Sequence, residues 1–415
     1  MPTEPNRSND RPNDRPADGP VDPTTDPVAT TAASDWDLLP ADRWTDHGVA
    51  RPGRSFWSDV WYRLRTKKLA MTGAAILILI ALAALFGPIL TGQSYDAQNN
   101  SLANVPPLMR VVELPGLTDR FYLNPNLKLI EVAPNGRLVQ QVPQTGDDMI
   151  GQRTTFQTDQ TTIYLDYSVQ PPRLLDANGD PATQTSWRWN TSYLLGSDAL
   201  GRDVLTRTFY GARISLAVAL VATLVNVLIG VVYGGIAGYA GGTTDAVMMR
   251  IVDIINTIPL TLYVILIKVV LGSGGFGSIV IALASVYWVD MARVVRGQAL
   301  TVKNQEFVLA ARTIGTPSSA ILRRHILPNA MGPILVTGTM LIPSAIFIEA
   351  FLSFIGIGIA PPMASLGTMA NDALATLHSS PYQLLIPAAT ICLLMFAFNF
   401  LGDGLRDALD PKLRS

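Results

Sequence analysis

The residues best suited by type and spacing to act on another molecule lie in EFVLAARTIGTPSSAILRRHILPN, from Glu306 to Asn329. Phe307, Ala310, Ala311 and Ile314 recur at i, i+3, i+4 and i+7, one apolar stripe on a short helix. Gly315 suits the left-handed residue that stops a helix, Thr316 the N-cap of the next, and Pro317 its first position. Leu309 projects with Glu306, Arg312 and Thr313 on the side opposite the stripe, so apolar groups face two ways. The chemistry open to such a segment is non-covalent. A helix with small alanines between two apolar faces fits a groove of another protein; packing on its own chain alone is the alternative. Leu327 and Pro328 close the segment where an apolar run resumes.

A second set of candidates is ionisable residues inside apolar runs, where charge is costly and usually faces a bundle interior or a cavity. Asp253, Asp290 and Glu349 are candidates for a subunit interface or a pathway, with Glu349 preferred because it interrupts a long apolar run. A packing ion pair is the alternative for each. Lys268 lies near a span end, where its stem can carry the ammonium to the surface. Cys392, the single cysteine, reads as a small buried hydrophobe. His47, His325 and His378 are too scattered to make a ligand set. No catalytic or metal-ligating residue is assigned.

Nucleotide chemistry finds no footing either. A phosphate-binding loop needs Gly-Lys before Ser or Thr, and none of the six lysines follows a glycine. Gly272 to Gly277 spells a dinucleotide fingerprint as text, yet it joins two apolar runs and follows no cytosolic strand, so it reads as an external turn.

The elements that carry these residues belong to a bilayer. Of 415 residues, 48% are hydrophobic and 15% charged, against about 25% charged in a soluble domain. The net charge of −1 gives no whole-chain attraction to nucleic acid. Six uncharged or nearly uncharged runs are long enough to span: Leu69 to Leu90, Ile214 to Tyr239, Val247 to Leu271, Ser278 to Val295, Met331 to Ile355 and Leu384 to Leu401. The sequence therefore predicts an all-α polytopic membrane protein with six transmembrane helices. Arg63, Arg65, Lys67 and Lys68 precede the first run and put the amino terminus in the cytoplasm. Basic residues in 296–330 and at the carboxyl terminus, and their absence from 272–277 and 356–383, agree with that orientation.

Residues 1–50, rich in Pro, Asp, Asn and Thr, read as a disordered cytoplasmic tail. No removable signal peptide opens the chain. Residues 51–91 form the first transmembrane helix with its basic flank, and 92–209 an extracytoplasmic β-rich insertion. There Thr161 to Val169 alternates like a strand, and Asn135-Gly136 and Asn178-Gly179 signal hairpins. Residues 210–405 form the remaining transmembrane domain, with its cytoplasmic loop at 303–328, and 406–415 a cytoplasmic tail. Gly230, Gly234, Gly235 and Gly238 permit close helix approach in the second span.

The loop resembles the EAA motif of binding-protein-dependent ABC importers, through Ala310, Ala311, Gly315, Leu327 and Pro328. Leu309 stands where many such permeases carry glutamate, so Glu306 or no carboxylate takes that role. GSDALGRD from Gly196, YGARISL from Tyr210, AFLSFIGIG from Ala350 and GDGLRDALDP from Gly402 are similar to the C-type permease of oligopeptide and dipeptide importers. The likeness runs from about Phe56 to the end and is weak through the insertion. It implies a type I ABC importer permease fold, a homologous second permease, two ATPase subunits that bind ATP and Mg, and a solute-binding protein. It implies no cofactor in this chain, a docked loop that moves as a lever, and alternating access in the plasma membrane. A permease for nickel or another small solute is the nearest alternative, and an ion-coupled secondary transporter a more distant one. A membrane-embedded enzyme would need catalytic groups gathered at one depth.

Overall fold

The computed structural model describes residues 56–409 except 116, 118, 160, 183 and 272–274. The tail read at 1–50, the start of the basic flank and residues 410–415 lie outside the described residues, as does the side chain of Lys268.

The basic flank is itself helical: α1 (Phe56–Thr66) precedes α2 (Lys68–Leu90), with Lys67 in extended backbone between them. Pro88 inside α2 has no N–H, which leaves the Ala84 carbonyl without its helical donor. Arg213 of α3 (Val204–Ala240) fills the gap, donating from Nε to Ala84 O at 2.9 Å and from a terminal nitrogen to Leu85 O at 2.8 Å. The second span therefore starts earlier than the boundary read at 210. Asp203 caps it, its side chain accepting from the Thr206 N–H at 2.8 Å. At 37 residues, α3 is about 55 Å long, more than a bilayer core needs.

The apolar run 247–271 is not one helix. It forms α4 (Gly242–Thr257) and α5 (Leu260–Leu271), bent by 86°. The cause lies at Ile258-Pro259: the residue before a proline is driven out of the helical region, and Ile258 sits at φ −80°, ψ 123°. After α6 (Phe276–Val286), α7 (Trp288–Val302) continues the next span past Arg296, which the sequence reading had put in a loop. Then come α8 (Glu306–Thr313), α9 (Ser318–Ile321), a π-helical turn over Leu322–Ile326, α10 (Leu327–Asn329), α11 (Met331–Phe354), α12 (Leu366–Asp372) and α13 (Tyr382–Leu409).

Small residues hold the helices together. A Cβ on Gly230 would lie 2.6 Å from Met291 Cβ, and one on Gly238 would lie 2.6 Å from Arg296 O, so α3 and α7 touch nearly backbone to backbone. Gly73 of α2 meets Ala397 and Phe400 of α13 in the same way. The large apolar side chains point outward: Leu79, Ile89, Leu224, Leu228, Leu385 and Phe396 are exposed. Cys392 joins them on the exposed face of α13 and is not buried. This inversion of the soluble pattern fits helices packed in lipid, where hydrocarbon competes equally for large apolar groups.

Between α2 and α3 the described residues form nine strands in two antiparallel sheets. The first has the order β4 (Leu138–Gln141), β3 (Leu129–Val132), β2 (Arg120–Leu123), β1 (Leu108–Glu113), β9 (Gln184–Trp189). The second runs β5 (Gln144–Asp148), β6 (Arg153–Gln157), β7 (Thr162–Asp166), β8 (Arg173–Leu175). Gly136 and Gly179, at φ +84° and +89°, turn the chain after β3 and β8. Phe121 and Leu129 pack with Phe156, Ile163 and Leu165 in a core shared by both sheets. At its base the Tyr382 hydroxyl, at the start of α13, donates to Val105 O at 3.0 Å and Ser197 O at 2.6 Å.

Candidate functional site

The loop between α7 and α11 is built against the ends of α3 and α7. Val308 and Ala311 of α8 are buried with Ala299, Val302, Ile321 and Ile326. The expected stripe is therefore divided, because only Ala311 of its four members turns inward. Phe307 and Leu309 are 45% and 48% exposed, Ile314 is 82% exposed, and Ala310 and Glu306 are exposed as well. Val308 takes the inward place because it sits one helical turn before Ala311 on the side nearest α7.

Gly315 ends α8 at φ +80°. Its N–H bonds to Arg312 O at 2.9 Å and that of Thr316 to Ala311 O at 3.0 Å, the paired bonds of a Schellman motif. The second helix starts one residue later than read. Pro317, at ψ 145°, is its cap, and its carbonyl accepts from Ala320 and Ile321. Proline's fixed φ suits either position. The π-helical turn that follows has its reason in Pro328, whose ring clashes with the carbonyl four residues back. Leu327 N–H accordingly reaches Leu322 O. Lys303 Nζ donates to Gly238 O at 2.9 Å, and the Arg312 guanidinium lies 5.0 Å from the Tyr239 ring, so both tie the loop to α3. Phe307 meets the His325 ring at 6.4 Å.

The intramembrane charges separate into different settings. Asp253 pairs with Arg293 at 3.1 Å, both well exposed. Asp290 is exposed and lines a cleft with Asn256, Thr257, Pro259 and Tyr287, at the bend between α4 and α5. Glu349, the preferred candidate, is fully buried within its own chain. Its carboxylate accepts from Ser215 Oγ at 2.7 Å and Ser353 Oγ at 2.8 Å, with no ion-pair partner among the described residues. It joins α3 to α11, and the Leu366 N–H reaches the same Ser215 hydroxyl.

Two charged clusters escaped sequence reasoning. Arg296 bonds Asp245 through two nitrogens, at 2.5 and 2.6 Å, fastening α4 to α7. Within GSDALGRD, Asp198 accepts from the Leu200 and Arg202 N–H groups and from Arg202 Nε at 2.6 Å, and also pairs with buried Arg207. Both arginines then reach Asp372 at the end of α12, at 3.1 and 3.2 Å. Neighbouring Asp203 is pushed up from the ordinary carboxylate range by burial, against the pull of its bonds from Thr206. The available signal was an alternation of Asp and Arg just before an apolar run.

Residues 230–415 match the family described as binding-protein-dependent transport system inner membrane component, and residues 55–107 the N-terminal TM domain of oligopeptide transport permease C. The oligopeptide transport system permease protein OppC of Bacillus subtilis is 39% identical over 366 residues, 88% of this chain and 93% of that one. The chain belongs to this permease family. The dipeptide transport system permease protein DppC of the same organism is 40% identical over 382 residues, 92% of this chain and 93% of the relative. Among solved structures, inward-facing MetNI methionine ABC transporter has a TM-score of 0.41 at 19% identity, covering 48% of this chain and 94% of that one. As a permease of this family, the chain is a multi-pass inner-membrane protein and a transport subunit, not an enzyme. Among the described residues, five helical stretches are long and apolar enough to cross a membrane, α6 and α7 together making one of them, or up to six if the bent pair α4 and α5 counts as one span.

Proposed function

We propose that this permease forms half of the translocation pathway for oligopeptides or dipeptides in an ABC importer. The observation that carries the coupling part is the face of α8 left uncovered by its own chain, with Phe307, Leu309, Ala310 and Ile314 beside a fixed turn at Gly315. An apolar helix face backed by a rigid turn suits a groove on a partner. In this reading Glu306, Arg312 and the anchor at Leu327 and Pro328 orient that face against an ATPase subunit. The peptide part rests on the names of the relatives.

Six spans follow if α4 and α5 make one broken crossing. Both termini are then cytoplasmic and the two-sheet insertion extracytoplasmic. Among the described residues, the helices of the main bundle run from Val204 of α3 to Leu409 of α13. The partners are a second, homologous permease, two ATPase subunits holding ATP and Mg, and a solute-binding protein. Asp253 and Asp290, the exposed intramembrane carboxylates, are the pathway or interface candidates that remain. The test is uptake of labelled di- and oligopeptides by cells lacking this chain, with and without its return on a plasmid. Restored peptide uptake, with ATPase subunits copurifying, supports the assignment. Undiminished peptide uptake without the chain, or restoration of nickel uptake alone, overturns it.

A further inference from the structure

Helix α1 is short and faces two surroundings. Val60 and Leu64 are buried against Ala408 and Leu409 at the end of α13. On the flank beside that seam, Trp57, Trp61 and Tyr62 are 56%, 52% and 54% exposed. Asp59 neutralises Arg63 at 3.0 Å, and Asp407 neutralises Lys67 at 2.8 Å. Two cations have no carboxylate partner among the described residues: Arg65, whose guanidinium lies 5.2 Å from the Trp61 ring, and Lys68, exposed at the first position of α2. At about 100° per residue, Trp57, Trp61 and Arg65 fall on one stripe. Only Lys67 separates α1 from α2.

We propose that α1 is an interfacial helix that gathers anionic lipid headgroups at Arg65 and Lys68. Because α2 begins to cross hydrocarbon within a residue or two, the end of α1 that carries Arg65 is held at headgroup depth, and the exposed aromatic residues keep the rest of the helix beside it. Exposed tryptophan and tyrosine have an apolar body and a polar edge, which suits that depth. The cations left unpaired beside them then meet phosphate. The ammonium and guanidinium that the chain does neutralise face α13 or their own helix, so the division of paired and unpaired charge follows the division of protein and lipid. The inference depends on α2 spanning the bilayer and not on the identity of the cargo.

The test uses the full chain with its partner subunits in nanodiscs, with a fluorophore on Ser58→Cys in a Cys392→Ala background. Ser58 is exposed on the same flank. Brominated phosphatidylglycerol is expected to quench the fluorophore several-fold more than brominated phosphatidylcholine at equal mole fraction. Replacing Arg65 and Lys68 by glutamine should erase that preference, about fivefold in local enrichment for each cation. An Arg65→Lys, Lys68→Arg variant should keep it. Quenching by neither lipid would mean that water or another subunit covers α1, and equal quenching by both would mean interfacial seating without anion selection. Either result overturns the proposal.

Discussion

Replacing Gly315 by aspartate separates what the α8 loop does for its own chain from what it does for the proposed partner. At φ +80° any Cβ brings a backbone penalty of about 1 kcal/mol. No heavy atom lies within 4 Å of the place a Cβ would occupy, so no clash is added. The two bonds that close α8 use main-chain groups and survive the change. The chain itself should thus lose about 1 kcal/mol and insert normally. A carboxylate pressed without a partner into a protein interface costs about 3 kcal/mol or more, on the order of a hundredfold in association. Gly315→Ala carries the same backbone cost and no charge. Immunoblots of membranes, labelled-peptide uptake and copurification of the ATPases should therefore read alanine as close to wild type and aspartate as inserted, uncoupled and inactive. Wild-type uptake by the aspartate variant at wild-type abundance would refute the assignment. Equal failure of both variants would trace the effect to the turn and not to the partner.

Cysteines at Ala133 and Asn178, in a Cys392→Ala background because Cys392 is exposed, should react with an impermeant thiol reagent in intact cells, and one at Ser318 should not; reaction at Ser318 without lysis reverses the proposed orientation. Glu349→Ala strands the Ser215 and Ser353 hydroxyls in a buried site and should cost about 1–3 kcal/mol, read as a lower melting temperature of the purified complex. Glu349→Gln keeps the volume and one acceptor oxygen, and its amide N–H can donate to the other serine oxygen, so it should recover most of the loss; if glutamine is as damaging as alanine, the charge itself matters and the packing account fails. Gly234→Leu drives a side chain into the Ala292 backbone, whose Cα lies 2.9 Å from the Cβ position, and should cost about 1–3 kcal/mol through overpacking. Unchanged thermal stability would mean that α3 and α7 are not as close as described.

Features set by local chemistry were legible in the sequence. The stop at Gly315, the hairpin at Gly136, the turn at Gly179 and the close approach along Gly230 to Gly238 each follow from what a residue without Cβ permits; Gly179 leads from one sheet to the other and joins no paired strands. Pro259 was equally visible, but an apolar run outweighed it, and the break between α4 and α5 was missed. Burial was the harder quantity. Periodicity finds an apolar stripe but not which side of it meets the chain, so α8 turned out with Val308 inward and Ile314 outward. Cys392 misled for a related reason: in a bilayer an apolar neighbourhood is no sign of burial. Glu349 asked for a charged or wet partner; Ser353, four residues on in α11, was within reach by helical spacing, whereas Ser215 of α3 carried no signal of proximity. Asp372 likewise meets Arg202 and Arg207 across more than a hundred intervening residues.

Other long-range contacts determine how a force applied at the loop, as the proposed coupling requires, would reach the bundle. Helix α8 follows α7 after a short linker, and Lys303 in that linker is bonded to the Gly238 carbonyl of α3. Arg312, on the loop helix itself, lies over Tyr239 near the end of α3, and Leu322 of the returning segment packs against Gly235. The loop is thus fixed to the ends of two helices and not to one. Those helices have almost no freedom to slide against each other, because Gly230, Gly234 and Gly238 leave their backbones in contact with Met291, Ala292 and Arg296. Close-packed interfaces of this kind shift as units and do not yield gradually. A displacement applied at the exposed face of α8 would be absorbed by neither the loop nor the α3–α7 contact. It would pass to both helices together, and through Asp245 and Arg296 to α4, which ends at the bend beside Asp290.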